Sequence, residues 1–92
     1  MNRSRLRIFY SGRVQGVGFR FAVKMQATGF EVTGTVRNLI DVRVELVAEG
    51  MKEELESFRR AIQDSEVGRF IRNEDVDWSE ARGELRGFEI VR

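Results

Sequence analysis

SGRVQGVGFR, residues Ser11 to Arg20, places three glycines within seven positions and ends on an arginine. It follows the apolar segment LRIFY and overlaps the end of an alternating segment, Leu6 to Arg13, that predicts a strand. It leads into Phe19 to about Thr28, where apolar residues recur at helical spacing. Each glycine in an ordered element costs about 0.5–1 kcal/mol relative to alanine. Three of them so close together, where a strand passes into a helix, indicate either an incidental turn or a binding site.

The rest of the chain predicts a ferredoxin-like α+β fold. Two hairpin strands are expected at Val32 to Asn38 and Val42 to Ala48. A second helix is expected at Met51 to Gln63, and two later strands at Phe70 to Ser79 and Gly87 to Val91. The order is β-α-β-β-α-β followed by a short extra C-terminal strand. This order is typical of a mainly antiparallel sheet with both helices on one face.

Composition excludes several kinds of site. The chain has no cysteine and no histidine. A disulfide, a thiolate nucleophile, a zinc–sulfur site and an imidazole general base are therefore excluded. Formal net charge is 16 − 15 = +1, so no strong overall field favours nucleic acid or a membrane surface.

No apolar run approaches the roughly 18–20 residues that a membrane-spanning helix needs. The N-terminal residues lack the pattern of a signal peptide. With 92 residues and 41% apolar side chains, we expect a single cytoplasmic domain, residues 1–92, without membrane association.

The glycine loop admits four interpretations. A dinucleotide-binding loop requires GxGxxG, but Phe21 stands where the third glycine belongs, and no parallel βαβ unit follows. A Walker A loop requires a GK[ST] ending, which this loop lacks. GVGFRF is faintly similar to the RNA-stacking motif of RRM domains, but that motif lies on a third strand and this run precedes the first helix.

The fourth interpretation is an anion-binding cradle. Backbone N–H groups around glycines can turn inward and form a nest, and the start of the following helix adds partial positive charge. Arg20, in the first turn of that helix, can bind a phosphate or carboxylate bidentately. A glycine-rich turn with a solvated arginine explains the same residues, and the loop alone does not decide between the two.

A second stretch, GTVRNLIDVRVELVAEG from Gly34 to Gly50, favours the cradle. Together with GRVQGVGFR it resembles the acylphosphatase family, across essentially the whole chain. The resemblance covers the glycine loop ending in arginine, the G-x-V-R-N strand, the V-E-x-x-A-E-G run before the second helix and the closing GFEI.

The resemblance implies hydrolysis of acyl phosphates to carboxylate and inorganic phosphate, without a metal or other cofactor. In the family, loop amides and the closing arginine bind the phosphate, and an asparagine orients the attacking water. By position, these are the backbone amides of Gln15, Gly16, Val17, Gly18, Phe19 and Arg20, the guanidinium of Arg20, and Asn38 of VRN. The phosphate itself can accept the proton of the water, which suits a chain without histidine.

The sequence departs from the family pattern at the hairpin. The family usually has N-x-x-D-G there, whereas this chain has NLIDV, with Val42 in the glycine position. A β-branched residue at positive φ is a genuine outlier. Either the turn changes type or it carries strain, and Asn38 lies just upstream.

Two other functions remain to be separated from hydrolysis. One is a module that binds phosphate or carbamoyl phosphate without efficient turnover. The other is an RNA-binding ferredoxin-like domain, which the near-zero net charge and the misplaced aromatic motif disfavour. We expect a monomer with small-molecule partners and no nucleic acid. Val14 and Val17 are expected to anchor the loop, and Phe19 and Phe21 to lie in the core.

Overall fold

Strands and helices follow one another in the order that the sequence predicts. The computed structural model describes residues 2–92. In chain order the elements are β1 (Arg3–Gly12), α1 (Phe19–Ala27), β2 (Val32–Asn38), β3 (Val44–Met51), α2 (Lys52–Asp64), β4 (Ile71–Glu80) and β5 (Phe88–Ile90), with a 3-10 turn at Glu66–Phe70. The boundary that matters most for the site is the start of β3, which lies at Val44 and not at Val42.

The strands form one sheet in the order β4-β1-β3-β2-β5. Neighbouring strands are antiparallel except β2 and β5, which run parallel. Ile8 on β1 is opposite Leu46 of β3 on one side and Val76 of β4 on the other. With two helices packed on this sheet, the molecule has the ferredoxin-like α+β fold, as predicted.

The core lies between the helices and one face of the sheet. Alternate residues of β1 contribute Leu6, Ile8 and Tyr10, each fully buried. The helices contribute two buried stripes at helical spacing, Phe19, Val23 and Ala27 from α1 and Leu55, Phe58 and Ile62 from α2. Burying each large apolar side chain stabilises the fold by about 1.5–3 kcal/mol. Among residues 2–92, no helix is long and apolar enough to cross a membrane.

The prediction that Phe21 lies in the core is wrong. Its side chain is 63% exposed, whereas Phe19 is buried as expected. Residues two apart on a helix lie about 200° apart around its axis. Because α1 buries the face that carries Phe19 and Val23, Phe21 must point away from the core.

A buried carboxylate fixes the connection that leads to β5. Glu49 of β3 accepts hydrogen bonds from Arg5 Nη1 at 2.7 Å and from the backbone N–H groups of Arg82 and Gly83 at 2.9 and 3.0 Å. Burial acts to raise the pKa of Glu49, but these hydrogen bonds outweigh it and lower the pKa below its ordinary value. The carboxylate therefore stays charged and holds the loop before β5 against the sheet.

Candidate active site

The loop between β1 and α1 has an alternating backbone conformation. Gly16 and Gly18 have φ values of 79° and 80°, while Val17 between them does not have a positive φ. A Cβ atom added at either glycine would meet nothing within 4 Å, so backbone conformation and not space requires glycine there. Alternation of this kind turns successive N–H groups toward one side and forms a nest.

The N–H groups of this loop are available to a ligand. Within residues 2–92, no backbone N–H from Val14 to Phe21 donates to a backbone carbonyl, and the first helical bond runs from Ala22 N–H to Gly18 O at 3.0 Å. The early N–H groups of a helix have no partner within the helix. The predicted amides, those of Gln15, Gly16, Val17, Gly18, Phe19 and Arg20, all lie in this stretch.

Arg20 lies beside these amides at a cavity of about 170 Å³, lined by Val14, Gly16, Gly18, Phe19, Arg20, Phe21 and Ile90. Arg20 takes no part in the ion pairs of the described chain. The first turn of α1 carries no acidic residue. The cavity therefore combines a guanidinium without a carboxylate partner and the positive end of a helix, an arrangement that favours an anion.

Two buried side chains hold the ends of the loop in place. Val14 and Phe19 are each 1% exposed. The Phe19 ring meets the Tyr10 ring edge-on, with the centroids 5.0 Å apart. Val17 packs against the same core while remaining partly exposed. Val14 and Val17 thus anchor the loop as predicted, which fixes the exposed backbone between and beside them.

The β2–β3 hairpin keeps a left-handed residue at its turn even though that residue is valine. Val42 has a φ of 68°. Its N–H donates to Leu39 O at 3.2 Å, and Leu39 N–H donates to Arg43 O at 2.8 Å. This is the pattern of a three-residue hairpin loop, whose last residue is usually glycine. Of the two outcomes that the sequence left open, the chain therefore has the strained turn.

Asn38 lies at the end of β2, directly before this turn. Its Oδ1 is buried and accepts no hydrogen bond from residues 2–92. Buried polar atoms without a protein partner are uncommon and often bind water or a ligand. Asn38 does not line the glycine-loop cavity. It lines a second one of about 600 Å³ together with Arg37, Leu39, Ile40, Asp41 and Arg92. The C-terminal segment borders both cavities, because Ile90 lines the first and Arg92 the second.

The Gln15 side chain connects the two loops. Its Nε2 donates to Leu39 O at 2.9 Å and to Arg43 O at 3.0 Å. The glycine loop is thereby fastened to both ends of the turn that follows Asn38. The sequence predicts a role only for the backbone amide of Gln15. Its side-chain partners lie 24 and 28 residues away, and no local pattern could have indicated them.

Comparisons with known proteins show the family and the fold. Residues 6–90 match the sequence profile of the Acylphosphatase family. The acylphosphatase of Bacillus licheniformis is 47% identical over 83 residues, covering 90% of this chain and 89% of the relative. The crystal structure of acylphosphatase from Bacillus subtilis superposes with a TM-score of 0.88 at 37% identity, covering 97% of this chain and 99% of that one.

A larger protein contains a similar unit. The crystal structure of full-length HypF, in its phosphate- and nucleotide-bound form, matches with a TM-score of 0.84 at 28% identity, covering 98% of this chain and 12% of that protein. The profile match and the coverage of the curated relatives nevertheless extend over nearly the whole of this chain and of theirs. The chain therefore belongs to the acylphosphatase family.

Proposed function

We propose that the chain hydrolyses acyl phosphates to a carboxylate and inorganic phosphate, with the phosphate bound in the glycine-loop cavity. The observation that carries this proposal is that loop amides without a backbone partner and Arg20 without an ion pair, both judged within residues 2–92, meet at one cavity. A phosphate dianion offers several acceptor oxygens. Backbone amides and a planar guanidinium at the same cavity can match these oxygens with short, charge-assisted hydrogen bonds.

The chemical step transfers the phosphoryl group to water. The water oxygen forms a bond to phosphorus, the bond between phosphorus and the acyl oxygen breaks, and its electron pair leaves with the carboxylate. A phosphate oxygen accepts the proton from the water. The carboxylate is a good leaving group, so no general acid is needed, in keeping with a chain that has no histidine or cysteine. The protein contributes positioning and fixed positive charge.

Asn38 orients the attacking water in this proposal. Its Oδ1 accepts no hydrogen bond from the described part of the chain, residues 2–92, and an amide oxygen can accept one hydrogen of a water molecule. With that hydrogen engaged, a lone pair of the water oxygen is directed toward phosphorus. Gln15 sets the separation between the loop that binds phosphate and the turn beside Asn38, through its hydrogen bonds to Leu39 O and Arg43 O.

The decisive experiment follows hydrolysis of benzoyl phosphate by ultraviolet absorbance for the wild type and for Arg20→Ala. Loss of one preorganised donor typically lowers the rate by about 10²–10³. Arg20→Ala should therefore lose that factor, and inorganic phosphate should become a weaker inhibitor. Lys24→Ala is the matched control, since Lys24 is an exposed cation on the same helix, and its activity should stay at the wild-type level.

Near-normal turnover by a folded Arg20→Ala variant would contradict the phosphate site. Phosphate binding by the wild type without turnover would assign the chain as a binding module instead. The same assay with EDTA tests metal independence. Since amides and Arg20 supply the positive charge, EDTA should leave turnover unchanged, and a strict need for Mg²⁺ would overturn the mechanism.

A further inference from the structure

The exposed ring of Phe21 lies at the edge of the phosphate cavity. Single exposed apolar residues are common and need no explanation. Phe21 differs because of its position. It follows Arg20 directly and lines the glycine-loop cavity, and Ile90, 39% exposed, lines the same cavity from β5. Two apolar side chains thus flank the group that binds the anion.

Phe21 also borders a second depression that continues away from the cavity along α1. This groove, of about 370 Å³, is shared at Gly18 and Phe21 and is lined further by Val17, Ala22 and Met25. Met25 is 51% exposed. An apolar surface therefore leads outward from the amides, over Phe21, along the helix. Ligand sites combine a few polar groups with an apolar lining of this kind.

An acyl phosphate has a charged end and an end of variable chemistry. If the phosphate occupies the amides and Arg20, the acyl group must leave the cavity along its rim. The geometry points to an acyl subsite formed by Phe21 and Ile90, which accepts uncharged, apolar acyl groups such as aromatic ones. This inference rests on the proposed function and specifies the substrate class. The acyl group packs against the Phe21 ring and the Ile90 side chain while the phosphate stays in the loop.

The charged residues around the groove beside Phe21 and around the cavity beside Asn38 also bear on the acyl group. They indicate that the side of Phe21 suits an apolar acyl group better than a charged one. The groove beside Phe21 is bordered by Glu66, whose carboxylate would repel a second negative charge on the substrate. The cavity beside Asn38 contains Arg37, but Arg37 Nε is bonded to Glu45 Oε1 at 2.6 Å. Its positive charge is therefore already compensated, and Asp41 lies in the same cavity. Arg92 also borders the Asn38 cavity and joins no ion pair within residues 2–92. The groove beside Phe21, whose described lining carries no cationic side chain, is therefore the side that disfavours a carboxylate on the acyl group.

The test compares kcat/KM for benzoyl phosphate, acetyl phosphate and succinyl phosphate. The wild type should prefer benzoyl over acetyl, and acetyl over succinyl. In Phe21→Ala the ratio of kcat/KM for benzoyl phosphate to that for acetyl phosphate should fall about tenfold. This is the low end of the effect of losing an apolar contact, because the site is open on one side. Phe21→Leu should restore most of the ratio. Because Phe21 is exposed, these variants should unfold at the same urea midpoint as the wild type.

Ile40→Ala is the matched control, because Ile40 is a fully exposed apolar residue at the other cavity. Its benzoyl-to-acetyl ratio should equal that of the wild type. An unchanged ratio in Phe21→Ala, an equal change in Ile40→Ala, or a wild-type preference for succinyl phosphate would overturn the subsite while leaving acyl phosphate hydrolysis intact. A wild type that hydrolyses none of the three substrates would instead reject the proposed function.

Discussion

The two loops of the site adopt the same unusual backbone conformation with different residues. In the glycine loop, Gly16 and Gly18 have φ values of 79° and 80°. In the hairpin loop, Val42 has a φ of 68°. Glycine adopts this conformation without strain but loses more conformational freedom on folding. An L-residue with a Cβ atom is strained there by about 1–2 kcal/mol. The first loop is therefore relaxed, and the second is held under strain.

The strained loop receives its support from the relaxed one. Val42 is 65% exposed, so packing does little to offset its backbone strain. The hydrogen bonds of Gln15 to Leu39 O and Arg43 O reach the turn from the glycine loop, and Asp41 Oδ2 accepts a hydrogen bond from Arg43 Nε at 2.8 Å within it. The glycine loop therefore also serves as a scaffold for the turn beside Asn38. Four substitutions test this relation.

Asn38→Ala should have the largest effect, because it removes the group that the supported turn is proposed to position. We expect kcat to fall by about 10²-fold, as for loss of one preorganised polar group. Inhibition by inorganic phosphate should change little, because the glycine loop is untouched. Asn73→Ala, at an exposed position of β4, is the control and should behave as the wild type. Equal losses in turnover and in phosphate binding would move Asn38 from orienting water to binding phosphate.

Gly18→Val introduces into the glycine loop the residue that the hairpin loop has at positive φ, a valine. The substitution should lower the free energy of unfolding by about 2 kcal/mol, because valine lies at the upper end of the left-handed strain. It should also reduce activity, because the amides turn with the backbone. Gly83→Val is a matched control, since Gly83 has a φ of 74° and equally open space around it. The control should lose similar stability and keep its activity. A stable, active Gly18→Val variant would show that the two loops do not differ in their tolerance of strain.

The features of the site that depend on local sequence were predictable. Alternating and helical periodicities define the strand, the loop and the helix around Gly16, and the glycines indicate positive φ because little else adopts it cheaply. Helical periodicity also indicates the buried face of α1, because Val23 and Ala27 recur at helical spacing and both are buried. The same spacing places Phe21 about 200° from Phe19 around the helix axis, so the prediction that both rings lie in the core conflicted with it, and only Phe19 is buried.

Features that depend on distant contacts were not predictable. NLIDV is compatible with a strained turn and with a rebuilt one, because strand propensity and the left-handed conformation compete at Val42. The structure resolves this competition through the hydrogen bonds across the turn and those from Gln15. Such contacts join residues far apart in sequence, and nothing in either segment specifies the other as its partner.

Gln15→Leu removes the connection between the loops while keeping a side chain of similar size. Both carbonyls keep one backbone partner, so the loss is two ordinary hydrogen bonds, or about 1–2 kcal/mol of unfolding free energy. We expect kcat to fall several-fold as the turn beside Asn38 loses its fixed position. The critical measurement is the double variant with Asn38→Ala. If Gln15 acts by positioning Asn38, its effect on kcat should vanish in that background while its effect on stability persists. Independent, additive effects on kcat would contradict that role.

Val42→Gly should have the smallest effect, and it should be stabilising. Replacing Val42 by glycine removes about 1–2 kcal/mol of backbone strain. It also destabilises the folded state by up to about 1 kcal/mol, because the unfolded chain gains conformational freedom. The net gain of about 0.5–1 kcal/mol should raise the urea midpoint without changing the slope of the transition. Activity should hold or rise, since the turn beside Asn38 keeps its conformation with less strain. Ile40→Gly in the same loop is the matched control. Ile40 does not have a positive φ, so glycine there brings only the entropic cost and should lower the midpoint. A midpoint that falls in both variants would mean that Val42 is not strained in solution, and the difference between the two loops would then be one of sequence alone.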